Sequence, residues 1–214
     1  MKNVVLACLV AGAMSVSSAF ALTTVKFSDG PGNTGGGEFL ADVGVNGSVD
    51  FRTFCLEYNE NIQMGTTYYF GVSQSARYNG NNTLDPLSKG AAWLYLQFSD
   101  NSLAGYQHNE ANANLLQRAF WYLEDEAGGS GQTAANNVYL ALVKTMFGTL
   151  TNAKQDNNGQ YGVGVMNLWA NRDGTGARQD QLIRINVPDG GTTLVFLGMA
   201  MTGLAAANRR FRKS

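Results

Sequence analysis

The sequence predicts an α+β fold, with N-terminal β-strands, central helices and a C-terminal β-strand pair in one domain. Three observations lead there. Residues 24–72 hold short runs of aromatic and β-branched residues separated by Gly, Asn and Asp clusters. From residue 85 the apolar spacing changes to a helical period, with capping residues ahead of the runs. After a polar stretch, two further strand-like runs close the domain. Strands first, helices next and strands last is the order of an α+β domain.

The strand runs are Thr24–Phe27, Glu38–Val45, Asp50–Tyr58 and Thr66–Val72, punctuated at 29–37, 46–50 and 59–65. Asp85-Pro86 reads as a helix start, with Asp as N-cap and Pro in the first turn, ahead of Leu87–Phe98. Asn109–Glu126 has no internal Gly or Pro and is expected to be one helix, ended by Gly128. On it, Leu116, Ala119, Phe120 and Leu123 form a core stripe, beside a face carrying Gln117, Trp121 and Glu124. Thr133 caps a third helix running to about Phe147. Gly162–Trp169 and Gln181–Val187 are the closing strands.

The two ends of the 214-residue chain read as processing segments. Residues 1–21 have a basic start at Lys2, an apolar stretch over Val4–Val16, and the small-residue exit Ala19-Phe20-Ala21. That order is a signal peptide, which engages the Sec translocon. Cys8 lies too early in the apolar run for lipid attachment. Residues 187–214 begin Val187-Pro188-Asp189-Gly190-Gly191, continue as an apolar run from Thr192 to Ala207, and end on Arg209, Arg210, Arg212 and Lys213. The run is shorter than the about 20 residues of a full span. The basic end stays cytoplasmic under the positive-inside rule, so the tail inserts transiently in the inner membrane or remains as an anchor.

Residues 22–186 are left as the single globular domain. Of the 15 Lys and Arg and 16 Asp and Glu, five basic residues and Asp189 lie in the end segments, so the domain carries a net charge of −5. No basic patch for nucleic acid remains. His108 is the sole histidine, which excludes a His-rich metal site and leaves no base for a Ser-His or Cys-His couple outside Gly105–Asn109. No cofactor motif is present, and enzymatic turnover is not expected. Asn171–Gly176 with Asp180 has the shape of a calcium loop, but Leu182 occupies the position of its closing acid, and a strand-joining turn is expected there. Glu124-Asp125-Glu126 reads as a solvated helix end.

One pairing stands out. With Cys8 removed, Cys55 is the sole cysteine of an exported domain, so it forms no internal disulfide. In an extended Phe51–Glu57, Phe51, Thr53, Cys55 and Glu57 share one face. Two readings stay open: Cys55 is an inert core residue with Gln117 on the surface, or the two are chemical partners.

The tail, residues 187–213, resembles the PEP-CTERM sorting signals, closest to the VPDSG variant, with Gly190 where that variant has Ser. The resemblance implies a Gram-negative-type exporter, cleavage by an exosortase, and release to the cell surface or an extracellular polysaccharide matrix. Stretches from Thr53 to Leu182 also look like a recurring type of PEP-CTERM exported protein. Cys55 with Gln117-Arg118-Ala119-Phe120-Trp121 resembles the thioester domains of bacterial surface adhesins, whose Thr-Gln-x-Ala-φ-Trp motif is matched at Gln117, Ala119 and Trp121. Leu116 stands in place of Thr, and Phe120 in place of the aliphatic residue. That resemblance implies a Cys55–Gln117 thioester, supported by Trp121 and Ala119 and opened by a partner amine. The alternative is a non-covalent carbohydrate-binding or matrix protein using Tyr68, Tyr69 or Trp169.

Overall fold

The computed structural model describes residues 23–33, 36–77 and 84–185; the leader over 1–21 and the tail over 187–214 lie outside the described residues. The fold is α+β. Its strands are β1 (Thr23–Asn33), β2 (Gly36–Val43), β3 (Phe51–Thr53), β4 (Thr67–Ser73), β5 (Ser75–Arg77) and β6 (Leu84–Pro86), followed after the helices by β7 (Val163–Trp169) and β8 (Ala177–Arg184). Between them lie α1 (Lys89–Ser99), α2 (Glu110–Leu123), α3 (Val138–Phe147) and α4 (Leu150–Ala153). Six strands form one antiparallel sheet in the order β3-β2-β1-β4-β7-β8, and β5 and β6 form a separate pair.

The six-stranded sheet curls until its edges meet. Past Thr53 the chain leaves β2 and bonds to β8. Leu56 N–H donates to the Asp180 carbonyl at 3.0 Å, and Leu182 N–H donates to the Phe54 carbonyl at 3.0 Å. Cys55 therefore faces Gln181 directly across the seam. The Thr53 hydroxyl donates to the Leu182 carbonyl at 2.6 Å in the same join. Closure pairs backbone groups that two free edges would leave open. One face of the sheet holds Val25, Phe27, Ala41, Tyr68, Phe70, Met166 and Leu168. The other packs Val163, Val165 and Leu182 against the helices. β7 is buried along its whole length because it serves both cores.

Several expectations are corrected. The 50–58 strand is cut to Phe51–Thr53, since Phe54–Glu57 turn inward to the seam and are all buried instead of alternating. Asp85-Pro86 belongs to β6, and α1 starts from Ser88, whose hydroxyl accepts from Ala91 N–H. The helix expected over 109–126 spans Glu110–Leu123, with Asn109 as N-cap as read; it ends before Gly128 because Asp125 takes a left-handed conformation, φ 58°. The third helix starts at Val138, where Asn137 caps the backbone more closely than Thr133. The stretch 29–37 is more than punctuation: the β1–β2 hairpin runs through it, with a bulge between Asp29 and Gly32. β8 starts at Ala177, ahead of the expected Gln181.

In the acidic run at 124–126, Asp125 is exposed as expected, but Glu124 is not a solvated end. Glu124 Oε1 accepts from Ser88 N–H at 3.2 Å, so it joins the end of α2 to the start of α1. Burial pushes its carboxyl up to about 8 from an ordinary 4.5. The folded state thus keeps a proton that the unfolded chain sheds earlier, and this contribution to stability is full below about pH 4.5 and fades as pH rises to about 8. Thermal unfolding followed across that window should show a falling midpoint in the wild type. Glu124→Gln, which keeps the acceptor without the charge, should flatten the fall; an unchanged slope would place its origin elsewhere.

Candidate functional site

α2 delivers one helix face to the seam. Its N-terminus is set by Asn109, whose side chain accepts from Asn112 N–H, and by Glu110 in the first turn, where the helix dipole favours an acid. Leu116, Ala119, Phe120 and Leu123 are buried in the helix-side core, as their spacing required. That anchorage fixes Gln117 and Trp121, one turn apart, toward Cys55. Gln117 is 1% exposed and Cys55 1%, so the expectation of a surface glutamine is corrected.

The two side chains meet in two places. Cys55 Sγ lies 3.3 Å from Gln117 Oε1, and Gln117 Nε2 donates to the Cys55 carbonyl at 2.8 Å. The second bond holds the carboxamide in one orientation over the cysteine. The pair is separated by 62 residues in sequence and is brought together by the seam on one side and α2 on the other.

Trp121 walls the pair. Its ring stacks edge-on with Tyr58, centroids 5.0 Å apart. Gly128 lets the chain pass against both rings, since a Cβ there would lie 2.4 Å from Trp121 and from Tyr58. Gly36, at the tip of the β1–β2 hairpin, also presses on the pair, with φ +134°. A Cβ on it would meet Gln117 Cγ at 2.6 Å and Trp121 at 2.7 Å. Gly36→Ala should therefore combine overpacking with an unfavourable backbone and destabilise the protein by about 2–4 kcal/mol. Chemical denaturation measures it; a loss below about 0.5 kcal/mol would show that the hairpin tip does not press on the site.

Two clefts reach the pair. The larger, about 950 Å³, is lined by Cys55, Trp121, Tyr58, Gln179, Asp29 and Glu38 among others. The smaller, about 290 Å³, is lined by Gln117, Asn114, Arg118 and Trp121. Trp121, Tyr58 and Gly36 border both.

The electrostatics are unusual for a cysteine site. Burial first, and then the carboxyl of Glu57, push the Cys55 thiol well above its ordinary range. The Trp121 indole N–H opposes them by favouring the thiolate, and it makes no hydrogen bond of normal geometry elsewhere. Glu57 and Asp180 are pushed up as well, burial being the main cause for both. Among the described residues no group of His, Cys, Asp and Glu is arranged to hold a metal ion.

Residues 186–211 match the VPDSG-CTERM motif. The chain carries a PEP-CTERM-like sorting tail. In structure the chain is similar to the N-terminal thioester domain of fibronectin-binding protein SfbI from Streptococcus pyogenes, with 13% sequence identity, a TM-score of 0.41, and coverage of 80% of this chain and 97% of that one. No curated protein matches the chain.

Other residues singled out from the sequence fall elsewhere. Ala119 sits in the helix-side core. His108 Nδ1 lies 2.8 Å from Glu38 Oε1, and the same buried carboxylate takes the Tyr106 hydroxyl at 2.5 Å and Arg52 Nη1 at 2.7 Å. This histidine is thus engaged with Glu38, which also lines the larger cleft. Asp180 turns inward to Arg77 N–H, Asn167 and Leu168 N–H, so 171–176 is a hairpin turn between β7 and β8. Of the aromatics considered for carbohydrate, Tyr68 is 3% and Trp169 9% exposed, which removes them as stacking platforms. Sequence reasoning missed Gly36, Tyr58, Gly128, Gln179 and Gln181. The one local hint was the Gln179-x-Gln181 alternation, two amides on one face of a closing strand.

Proposed function

We propose that Cys55 and Gln117 condense to an internal thioester, and that the exported domain uses it once, to bind an amine of a partner covalently. The thiol sulfur bonds to the Gln117 side-chain carbonyl carbon, the C–N bond breaks, and the thiol proton leaves with the nitrogen as ammonia. A partner amine then attacks the same carbon, forms an amide, and frees the Cys55 thiol. The observation that carries this reading is the two-point contact: sulfur at 3.3 Å from the carboxamide oxygen, with the amide nitrogen held at 2.8 Å by the cysteine's own carbonyl. Such positioning raises the effective concentration of the reacting groups by orders of magnitude. Burial keeps water from the bond, and the larger cleft leaves a route for an amine.

The sorting tail supports delivery to the envelope surface, with the leader over 1–21 supplying export and an exosortase removing the tail. A host strain lacking its exosortase should keep the tailed form in the inner membrane; unchanged release from that strain would defeat the sorting part of the reading. A Gram-negative-type envelope, a polysaccharide matrix and an adhesive role belong to the same proposal. The chemical part is tested by incubating the purified protein with methylamine and mapping the product. Methylamine should appear on Gln117 and nowhere else, with one new thiol at Cys55. Absence of any adduct on Gln117 would end the covalent reading.

A further inference from the structure

We propose that Glu57 is the proton carrier for the chemistry between Cys55 and Gln117. The inference rests on the thioester reading above and assigns it a residue that the Cys–Gln pairing itself does not identify. The condensation needs a proton moved from sulfur to the departing nitrogen, and neither Cys55 nor Gln117 does that alone. Both residues are nearly buried, and a neighbouring protein group is placed to do it. His108 is committed to Glu38.

Two buried polar atoms beside Cys55 have no hydrogen-bond partner, Glu57 Oε1 and Gln181 Oε1, and the Trp121 indole N–H has none of normal geometry apart from the sulfur. Gln181 faces Cys55 across the seam, Trp121 lies along the sulfur, and Glu57 is two residues on. Buried polar atoms are nearly always satisfied, so two exceptions around one thiol call for an explanation, and a reaction site supplies one.

Glu57 is held for the task. Its Oε2 accepts from Asp180 N–H at 2.6 Å, and its carbonyl accepts from Gln179 Nε2 at 2.7 Å, which leaves Oε1 free. The neighbouring acids decide where the resting proton sits. Asp180 accepts from Arg77 N–H at 2.7 Å, Asn167 Nδ2 at 2.8 Å and Leu168 N–H at 3.1 Å, so its charge is well satisfied. The Glu57 carboxylate has one donor. Glu57 therefore carries the proton at rest, and Asp180 the charge. The titratable groups facing Glu57 are Asp180 from β8, Glu60 from the loop after it, Glu126 beyond α2, and Cys55 itself. Burial first, and then Asp180, Glu60 and Glu126, raise its proton affinity, which makes its ionised form a stronger base than a free carboxylate.

The cycle balances. Once Glu57 has released its resting proton to solvent, its carboxylate takes the proton from Sγ as sulfur bonds to the Gln117 carbon. Glu57 then gives that proton to the nitrogen as the C–N bond breaks, ammonia leaves, and Glu57 is as it began. In the reverse sense it takes a proton from the attacking amine and returns it to the Cys55 thiolate.

The test follows the loss of ammonia by intact mass during cell-free synthesis of the full chain, across a pH series. Wild type should lose ammonia at a rate that climbs with pH as Glu57 ionises. Glu57→Gln, isosteric with the protonated acid, should fold but form the thioester at least about 100-fold more slowly, without that climb. Should Glu57→Gln fail to fold, Glu57→Asp decides: it should react at an intermediate rate with a displaced pH profile. Wild-type rate and profile in the folded variant would overturn the assignment. A wild-type chain that never loses ammonia at any pH would remove the thioester and the assignment with it, an outcome distinct from the variant's.

Discussion

Cys55→Ala should abolish amine coupling completely while leaving the fold in place. In the proposed thioester the sulfur alone bonds to the Gln117 side-chain carbon, and Cys55 is the one cysteine among the described residues. The structural loss is small: one sulfur atom in a buried site, about 1–2 kcal/mol of stability. The bond from Gln117 Nε2 to the residue 55 carbonyl does not need the side chain and should persist. Labelling with a fluorescent amine, read by denaturing gel and normalised to folded protein, checks this. Any residual labelling at Gln117 in the alanine variant would mean that the glutamine reacts by another route.

Trp121→Ala should have the second-largest effect, and on two quantities at once. The side chain is 5% exposed and closes against Tyr58, Gly36 and Gly128, so its removal should cost about 3–5 kcal/mol. It also removes the wall common to the two clefts. Water then reaches the bond, and the amine-reactive fraction should hydrolyse within the time of a purification, leaving a carboxylate on the side chain at position 117 and a free thiol at Cys55. Trp121→Phe separates the two roles: it keeps much of the wall and lacks the indole N–H. It should retain most of the stability yet couple amines more slowly, because the departing thiolate loses the donor along it. Equal coupling rates for Trp121→Phe and wild type would leave Trp121 a packing residue only.

The site was legible in the sequence to the extent that its residues sit on regular elements. The 3.6-residue period of α2 placed Gln117 and Trp121 on one face and Leu116, Ala119, Phe120 and Leu123 on the adjoining one, and the structure has them so. The strand–helix–strand order pointed to the α+β class. What escaped is what long-range pairing decides. Nothing in Phe51–Glu57 announces that the strand stops at Thr53, because the stop arises from a seam with β8, more than 120 residues later. Asp85-Pro86 looked like a helix start, yet the pairing of β5 with β6 absorbs it. The glycines that allow close approach, Gly36 and Gly128, carry no side chain to point anywhere, and their role is visible only once Trp121 lies against them. Gln179 and Asp180 fell ahead of the closing strand expected from Gln181, because nothing local shows that pairing with β7 draws Ala177–Asp180 into it.

The mass of the intact protein reads whether Cys55 and Gln117 are joined in the folded state. The native protein, purified without amines or thiols at mildly acidic pH, should be lighter than its processed sequence by one ammonia, and Cys55→Ala should show no such deficit. Denatured wild type should have no titratable thiol until a nucleophile is added. A wild-type mass equal to that of the sequence, with one free thiol titrating at Cys55 after denaturation, would mean that no thioester forms.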